Sequence, residues 1–198
     1  MLPVALNLDS RRVLIVGGGA VAARKVASCL EANAHITVIS PILIEDFPTP
    51  IEHRARHFQS GDCQSFDLIF AATNNREVNA QIGLEARSNK IWCNIADDPR
   101  ASDFHTQSVV RRGDIAIGIS TGRLSPILAR HLRERVAGVV GLEYELLQTL
   151  AAQIEIPLAK RGEFWRAVLG SEVLDLLRAG ELEKARLIFG QLLRTPDN

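Results

Sequence analysis

Val13-Leu14-Ile15-Val16-Gly17-Gly18-Gly19-Ala20-Val21-Ala22 is the stretch that decides the fold. Its first four residues are aliphatic and present no polar face, as in a strand buried on both sides of a parallel sheet. The Gly-x-Gly-x-x-Ala run that follows opens a helix, which is the context a dinucleotide fingerprint requires. Gly17 permits the tight turn. Gly19 lets backbone amides, those of Ala20 and Val21, approach a pyrophosphate at the positive end of the helix, and Ala22 lets that helix pack close to the sheet. A glycine-rich turn with no ligand is the alternative reading of the same residues.

Outward from this loop, short apolar runs alternate with helical stretches up to about Gly118, the pattern of βαβ units. Strands are expected at residues 12–16, 35–39, 67–72 and 91–95, with helices at 20–31 and 76–88. Residues 51–58 alternate in polarity and predict a shorter strand near the sheet edge. Beyond, residues 108–110 and 114–119 read as strands around an Arg111-Arg112-Gly113 turn. A helix then starts at Ser125-Pro126, with Ser as N-cap and Pro at the first helical position. Ile127, Leu128, Leu132 and Val136 give it an apolar stripe. From Gly141 the apolar residues recur at helical spacing to the end. The fold class is therefore α/β: a Rossmann-type parallel-sheet domain over residues 1–102, a small α+β segment over 103–140 and a helical domain over 141–198.

Composition excludes other classes. The 198 residues carry 23 basic and 23 acidic side chains, so the formal net charge is zero and argues against a general nucleic-acid binder. Cys29, Cys63 and Cys93 are scattered and odd in number, which reads as reduced thiols and not as a disulfide framework or a zinc site. No metal is expected to be bound structurally. The longest apolar stretch, 13–23, contains three glycines and is shorter than the ~20 residues a membrane span needs. The N-terminus lacks a basic signal-peptide region, and a cytoplasmic, non-membrane protein is expected.

One part of the fingerprint is missing. The acidic residue that should grip the adenine ribose about 20 residues on is replaced by Ser40-Pro41, with Glu45 and Asp46 only later. Ribose binding then falls to Ser40 or to backbone groups, and the choice between NAD and NADP is weakly specified. Thr73-Asn74-Asn75 sits where a further βα loop would line the cofactor, and equally reads as an N-cap before the next helix. Cys93-Asn94-Ile95-Ala96-Asp97-Asp98-Pro99 would bring adjacent carboxylates to the carboxyl edge of the sheet, as a general base or as a solvated turn. His105 stands alone, as a structural residue or a ligand group. Arg111, Arg112, Arg123, Arg130 and Arg133 make the middle of the chain locally basic, suited to a ligand with several carboxylates or to a solvated helix face. Thr121, Gly122 and Ser125 add small polar groups and helix amides beside them.

Taken together, these stretches resemble the precorrin-2 dehydrogenase family, which includes the dehydrogenase/ferrochelatase module of siroheme synthase. The matching pieces are Val16-Gly-Gly-Gly-Ala-Val-Ala-x-Arg-Lys25, Ala71-Ala-Thr-Asn-Asn75, Cys93-Asn-Ile-Ala-Asp97, Val109-Val-Arg-Arg-Gly-Asp114 and Ile119-Ser-Thr-Gly-x-x-Ser-Pro-x-Leu-Ala-Arg130. Order and spacing hold from about residue 3 to residue 135. The resemblance implies NAD-dependent oxidation of precorrin-2 to sirohydrochlorin, and in some members insertion of ferrous iron. It implies a homodimer built through the central segment, with a cleft completed across the two copies. It implies Asp97 as the catalytic residue. The nicotinamide cofactor would lie on Gly17, Gly19, Ala20, Val21, Ser40, Pro41, Thr73 and Asn74. Substrate carboxylates would be held by His105, Arg111, Arg112, Thr121, Gly122, Arg123 and Ser125.

This sequence departs from the family in carrying Gly122-Arg123-Leu124 where members often have further glycine before Ser-Pro. With no methyltransferase domain attached, the chain is expected to stand alone and to receive precorrin-2 from a partner enzyme. Two other readings compete: a chelatase without redox use, which Gly17 and Gly19 weigh against, and a carrier or sensor that binds a nucleotide or tetrapyrrole without turnover.

Overall fold

The computed structural model describes residues 2–122 and 124–194, so Arg123, expected at the substrate site, lies outside the described residues. The chain divides into two compact units, Met1–Thr106 and Gln107–Asn198.

The first unit runs β1 (Arg12–Val16), α1 (Ala20–Leu30), β2 (His35–Ile39), β3 (Glu52–Arg54), β4 (Leu68–Ala71), α2 (Arg76–Ser88) and β5 (Trp92–Ile95). All five strands are parallel, in the order β3-β2-β1-β4-β5. Because successive side chains point to opposite faces, β1 feeds two cores. Val13 and Ile15 pack with Ala22, Val26 and Cys29 of α1, while Leu14 and Val16 pack with Ile82 and Ala86 of α2. This two-sided burial is why the strand reads as an unbroken apolar run. The three cysteines are free and buried. Burial pushes the Cys29 thiol up to about 11 and the Cys93 thiol up to about 12, so both stay protonated at neutral pH.

Two details position the functional loops. Gly83 in α2 lies where a Cβ would come 2.5 Å from Cδ1 of Ile95, so α2 is pressed onto β5. The free edge of β5 is sealed by the chain that follows it: the Cys93 N–H donates to the Asp103 carboxylate, the Ile95 N–H to the Ser102 hydroxyl, and the Asp103 N–H to the Cys93 carbonyl.

The second unit opens with an antiparallel hairpin of β6 (Ser108–Arg112) and β7 (Ile115–Ile119), followed by α3 (Pro126–Val139) and α4 (Glu143–Ala151). A single 3-10 turn at Leu158–Lys160 precedes α5 (Arg161–Leu169), α6 (Val173–Arg178) and α7 (Leu182–Arg194). Leu147, Leu150, Phe164, Val168, Val173, Leu177 and Phe189 form its core, with the Phe164 ring edge-on to Phe189. Buried Glu143, at the start of α4, accepts a 2.8 Å hydrogen bond from Arg178. Burial opposes ionisation of Glu143, but the Arg178 guanidinium and nearby backbone groups outweigh it and hold the carboxyl below its ordinary range. Among the described residues, no helix is long and apolar enough to cross a membrane.

Candidate functional site

The connections leaving β1 and β4 diverge, one to β2 and the other to β5, so a crevice opens between their carboxyl ends, where ligands bind in open α/β sheets. A cavity of about 650 Å³ occupies this place. Gly17, Gly19, Ser40, Pro41, Thr73 and Asn74 line it together, as the sequence reading grouped them. Ala20 and Val21 form the first turn of α1 directly behind Gly19.

Each glycine of the loop has its own cause. Gly17 has φ +129°, and a Cβ there would sit 2.3 Å from the Ala72 carbonyl oxygen. At Gly18 a Cβ would meet the Ile42 carbonyl oxygen at 1.9 Å and Ser40 Oγ at 2.6 Å, because the turn after β2 crosses over the loop and is tied to it by the Ile44 N–H donating to the Gly18 carbonyl. Gly19 differs: its backbone is extended, with φ −91° and ψ −176°, and nothing lies within 4 Å of its Cβ position. Among the described residues, no contact demands a glycine there. The α1 amides above it also lack a side-chain cap, whereas Asn75 caps α2 by accepting the Glu77 and Val78 N–H groups. An uncapped helix N-terminus approached over a bare Cα fits a pyrophosphate.

Among the described residues, no carboxylate lines the wall of the cavity beside the turn after β2. The Ser40 hydroxyl donates to the Ile42 carbonyl at 2.8 Å, and the Ser40 carbonyl lies 2.9 Å from His53 Nε2. Arg56, His57 and Phe58 add to this wall of the cavity, and sequence reasoning missed them. They fall where a strand over 51–58 is expected, but β3 ends at Arg54. The next residues instead form a turn in which Arg56 grips Asp62 through two bonds of 2.7 and 2.6 Å. That guanidinium holds the Asp62 carboxyl below its ordinary range.

Asp97 and Asp98 are adjacent but differently employed. Asp98 accepts the Arg100 and Ala101 N–H groups and so makes the turn that turns the chain back along β5. Asp97 is about a third exposed, and its Oδ1 accepts a 2.8 Å bond from Asn79 Nδ2 while Oδ2 lies 3.4 Å from Arg76 Nε. Asn79 is bonded in turn to Thr73, a cavity-lining residue, so Asp97 stands two hydrogen-bonded residues from the cavity wall. Arg76 and Asn79 were not singled out from the sequence. A polar residue on a helix reads the same whether it faces water or a carboxylate.

His105 is half-buried, between two fixed neighbours. The Phe104 carbonyl accepts from Asn94, its ring meets Phe70 edge-on at 5.4 Å, and Thr106 Oγ1 accepts a 2.7 Å bond from Lys25. In the second unit, Thr121 donates to the Ser125 carbonyl, Gly122 has φ +61°, and Ser125 caps α3 by accepting the Leu128 N–H. Arg111 and Arg112 lie within β6 rather than in the turn, which tightens to Gly113-Asp114 and is pinned by Gln148. Arg112 donates to the Arg111 and Ala137 carbonyls.

The protein family described as "Putative NAD(P)-binding" matches residues 4–108. The siroheme synthase of Nitrosomonas eutropha is 35% identical to this chain, over 99% of the chain and 43% of that protein. The siroheme synthase of Thioalkalivibrio sulfidiphilus is 33% identical over 98% of the chain and 42% of that protein. The chain thus spans less than half the length of these curated relatives. Among solved structures, "SirC, precorrin-2 dehydrogenase" superposes with a TM-score of 0.76 at 20% identity, over 96% of this chain and all of that one, a likeness of fold.

Proposed function

We propose, from the premise that the chain belongs to the NAD(P)-binding family named above and is related to siroheme synthases over nearly its whole length, that it oxidises precorrin-2 to sirohydrochlorin with NAD. The observation that carries the cofactor half of this reading is Gly19, a glycine that neither its backbone nor any neighbour in the protein requires, at the uncapped start of α1. Gly17, Gly18 and Gly19 would hold the pyrophosphate, Ser40 and Pro41 the adenosine ribose, and Thr73 with Asn74 the half nearer the reacting carbon. A bound nicotinamide supplies the hydride acceptor.

Dehydrogenation removes a hydride and a proton from the substrate, so the protein must supply one base. Asp97 is that base in this reading: Oδ1 is fixed by Asn79, and Oδ2, beside the exposed Arg76, takes the proton. Arg76, exposed beside Asp97, also offers a guanidinium to a tetrapyrrole carboxylate. Arg111, Arg112, Arg123, Thr121, Gly122, Ser125 and His105 are the further candidates for holding the substrate. A homodimer joined through residues 103–140, with ferrous iron as a second substrate and the cytoplasm as location, completes the proposal.

The test is anaerobic turnover of precorrin-2 with NAD or NADP, followed by NADH absorbance and the tetrapyrrole spectrum, with ferrous ion added in a second stage. Asp97→Asn is expected to lower turnover about 10²- to 10⁴-fold while NAD binding persists. Turnover near the wild-type rate in that variant would remove Asp97 from the mechanism. Tight binding without turnover in the unmodified protein would favour a carrier.

A further inference from the structure

We propose that Asn79 is the positioning residue for Asp97, fixing the carboxylate against the loop that lines the cofactor cavity; the inference rests on the reading of Asp97 as the base. Asn79 is only 1% exposed and lies on α2 one turn before Gly83, where the helix is pressed onto β5. All four hydrogen-bonding positions of its amide are used. Oδ1 accepts the Thr73 N–H at 3.1 Å and the Thr73 hydroxyl at 2.7 Å, and Nδ2 donates to the Thr73 carbonyl at 3.0 Å and to Asp97 Oδ1 at 2.8 Å. The orientation of the amide is therefore forced. Rotating it by half a turn would set its NH₂ against the Thr73 N–H and its oxygen against the Thr73 carbonyl and the Asp97 carboxylate. Thr73 fixes the amide, and the amide fixes one oxygen of Asp97.

A purely structural tie between α2 and the Thr73 loop would need only the three bonds to Thr73. The fourth bond is directed at the carboxylate, at the end of the strand whose carboxyl edge bounds the crevice. It leaves Oδ2, the oxygen beside the exposed Arg76, for the proton and removes rotation about the Cβ–Cγ bond, the freedom that would otherwise scatter a base around its proton. Its other consequence is a link between cofactor seat and base: any movement of the Thr73 loop on cofactor binding is transmitted to Asp97 through one buried side chain.

The experiment measures kcat, tetrapyrrole KM, NAD dissociation constant and melting temperature for Asn79→Asp and Asn79→Ser, each also combined with Asp97→Asn. Asn79→Asp keeps the shape and the oxygen that accepts from the Thr73 N–H and hydroxyl, but it loses the donors to the Thr73 carbonyl and to Asp97. The expected result is a fall in kcat of about 10- to 100-fold, with tetrapyrrole KM and NAD affinity within about two-fold of wild type. Adding either Asn79 substitution to Asp97→Asn should lower kcat little further, because both act through one group. The Asn79→Asp/Asp97→Asn double variant restores a hydrogen bond of reversed polarity. It should regain part of the melting temperature that Asn79→Asp loses, since the bond to the Thr73 carbonyl stays broken, yet remain without turnover. Asn79→Ser, which admits water and retains a donor, gives the kcat reading should Asn79→Asp fail to fold. A kcat within about three-fold of wild type in a folded Asn79 variant would overturn the proposal, as would a loss of NAD affinity that accounts for the whole effect. Wild-type turnover by Asp97→Asn alone would instead overturn the assignment of the base.

Discussion

Gly18 and Gly19 are neighbours of identical chemistry, yet a methyl group added to each meets opposite surroundings. At Gly18 it would overlap a backbone carbonyl that cannot yield without moving the Ser40–Ile42 turn. Gly18→Ala should therefore cost about 1–3 kcal/mol of stability in urea denaturation. Gly19 has room and an extended backbone, and an aspartate at that N-cap position should raise stability by a few tenths of a kcal/mol, roughly the advantage of Asp over Gly as a cap. The same Gly19→Asp change sets a carboxylate against the pyrophosphate. Two unit charges about 4 Å apart repel by about 1–4 kcal/mol between bulk water and a surface-like dielectric. NAD should therefore bind about 10- to 1000-fold more weakly, as read by titration calorimetry. Gly17, Gly19 and Asp97 were legible as site candidates because motif and position announced them. Gly18 was marked only by being the middle of three glycines. Asn79 was illegible, since its role depends on a carboxylate 18 positions away that folding alone brings within 2.8 Å.

At the scale of elements, β1 and β2 match their expected spans end to end, because burial on both faces leaves an apolar run with sharp limits. The strand expected over 51–58 shrinks to Glu52–Arg54, since the Arg56–Asp62 pair diverts the chain into a turn that alternation of polarity cannot foresee. The hairpin strand expected to end at Val110 continues to Arg112, pinned by Gln148 from α4. In the helical tail, periodicity gave the apolar face but not the pairing of buried Glu143 with the exposed Arg178. Glu143 is held below its ordinary pKa in the folded chain, so it contributes stability above the unfolded value of about 4.3. That contribution is lost as pH falls through the lower folded value. Thermal melts between pH 7 and pH 3 should show an acid loss that is smaller in Glu143→Gln, itself less stable than wild type at pH 7, with the remainder carried by other depressed carboxylates such as Asp62.

At the scale of the molecule, the expected apolar stripe of α3 is present, but no residue of the helix is buried. Ile127 is 81% exposed and Val139 75%. A second copy of the chain is the occupant that the proposed homodimer supplies for this face. Sedimentation of the full chain should give twice the chain mass, and Ile127→Asp with Leu132→Asp should give the monomer. That monomer should keep NAD affinity, because the described residues lining the proposed cofactor cavity all belong to the first unit, and should lose turnover if the substrate cleft is completed by the partner copy.

The strand order has a consequence for synthesis on the ribosome. β1 is made before the other strands of its sheet, and β2, its partner on one edge, is the next strand in the chain. Its other edge stays bare until Leu68–Ala71 has been made, more than 50 residues later. Over that interval the nascent chain displays an unpaired, wholly aliphatic strand edge, the kind of surface that chaperones bind and that seeds aggregation. The glycine loop cannot take its final shape before then either, because Gly17 is set against Ala72. The proposed cofactor seat is thus completed only after β4 is made, well after the glycines that announce it.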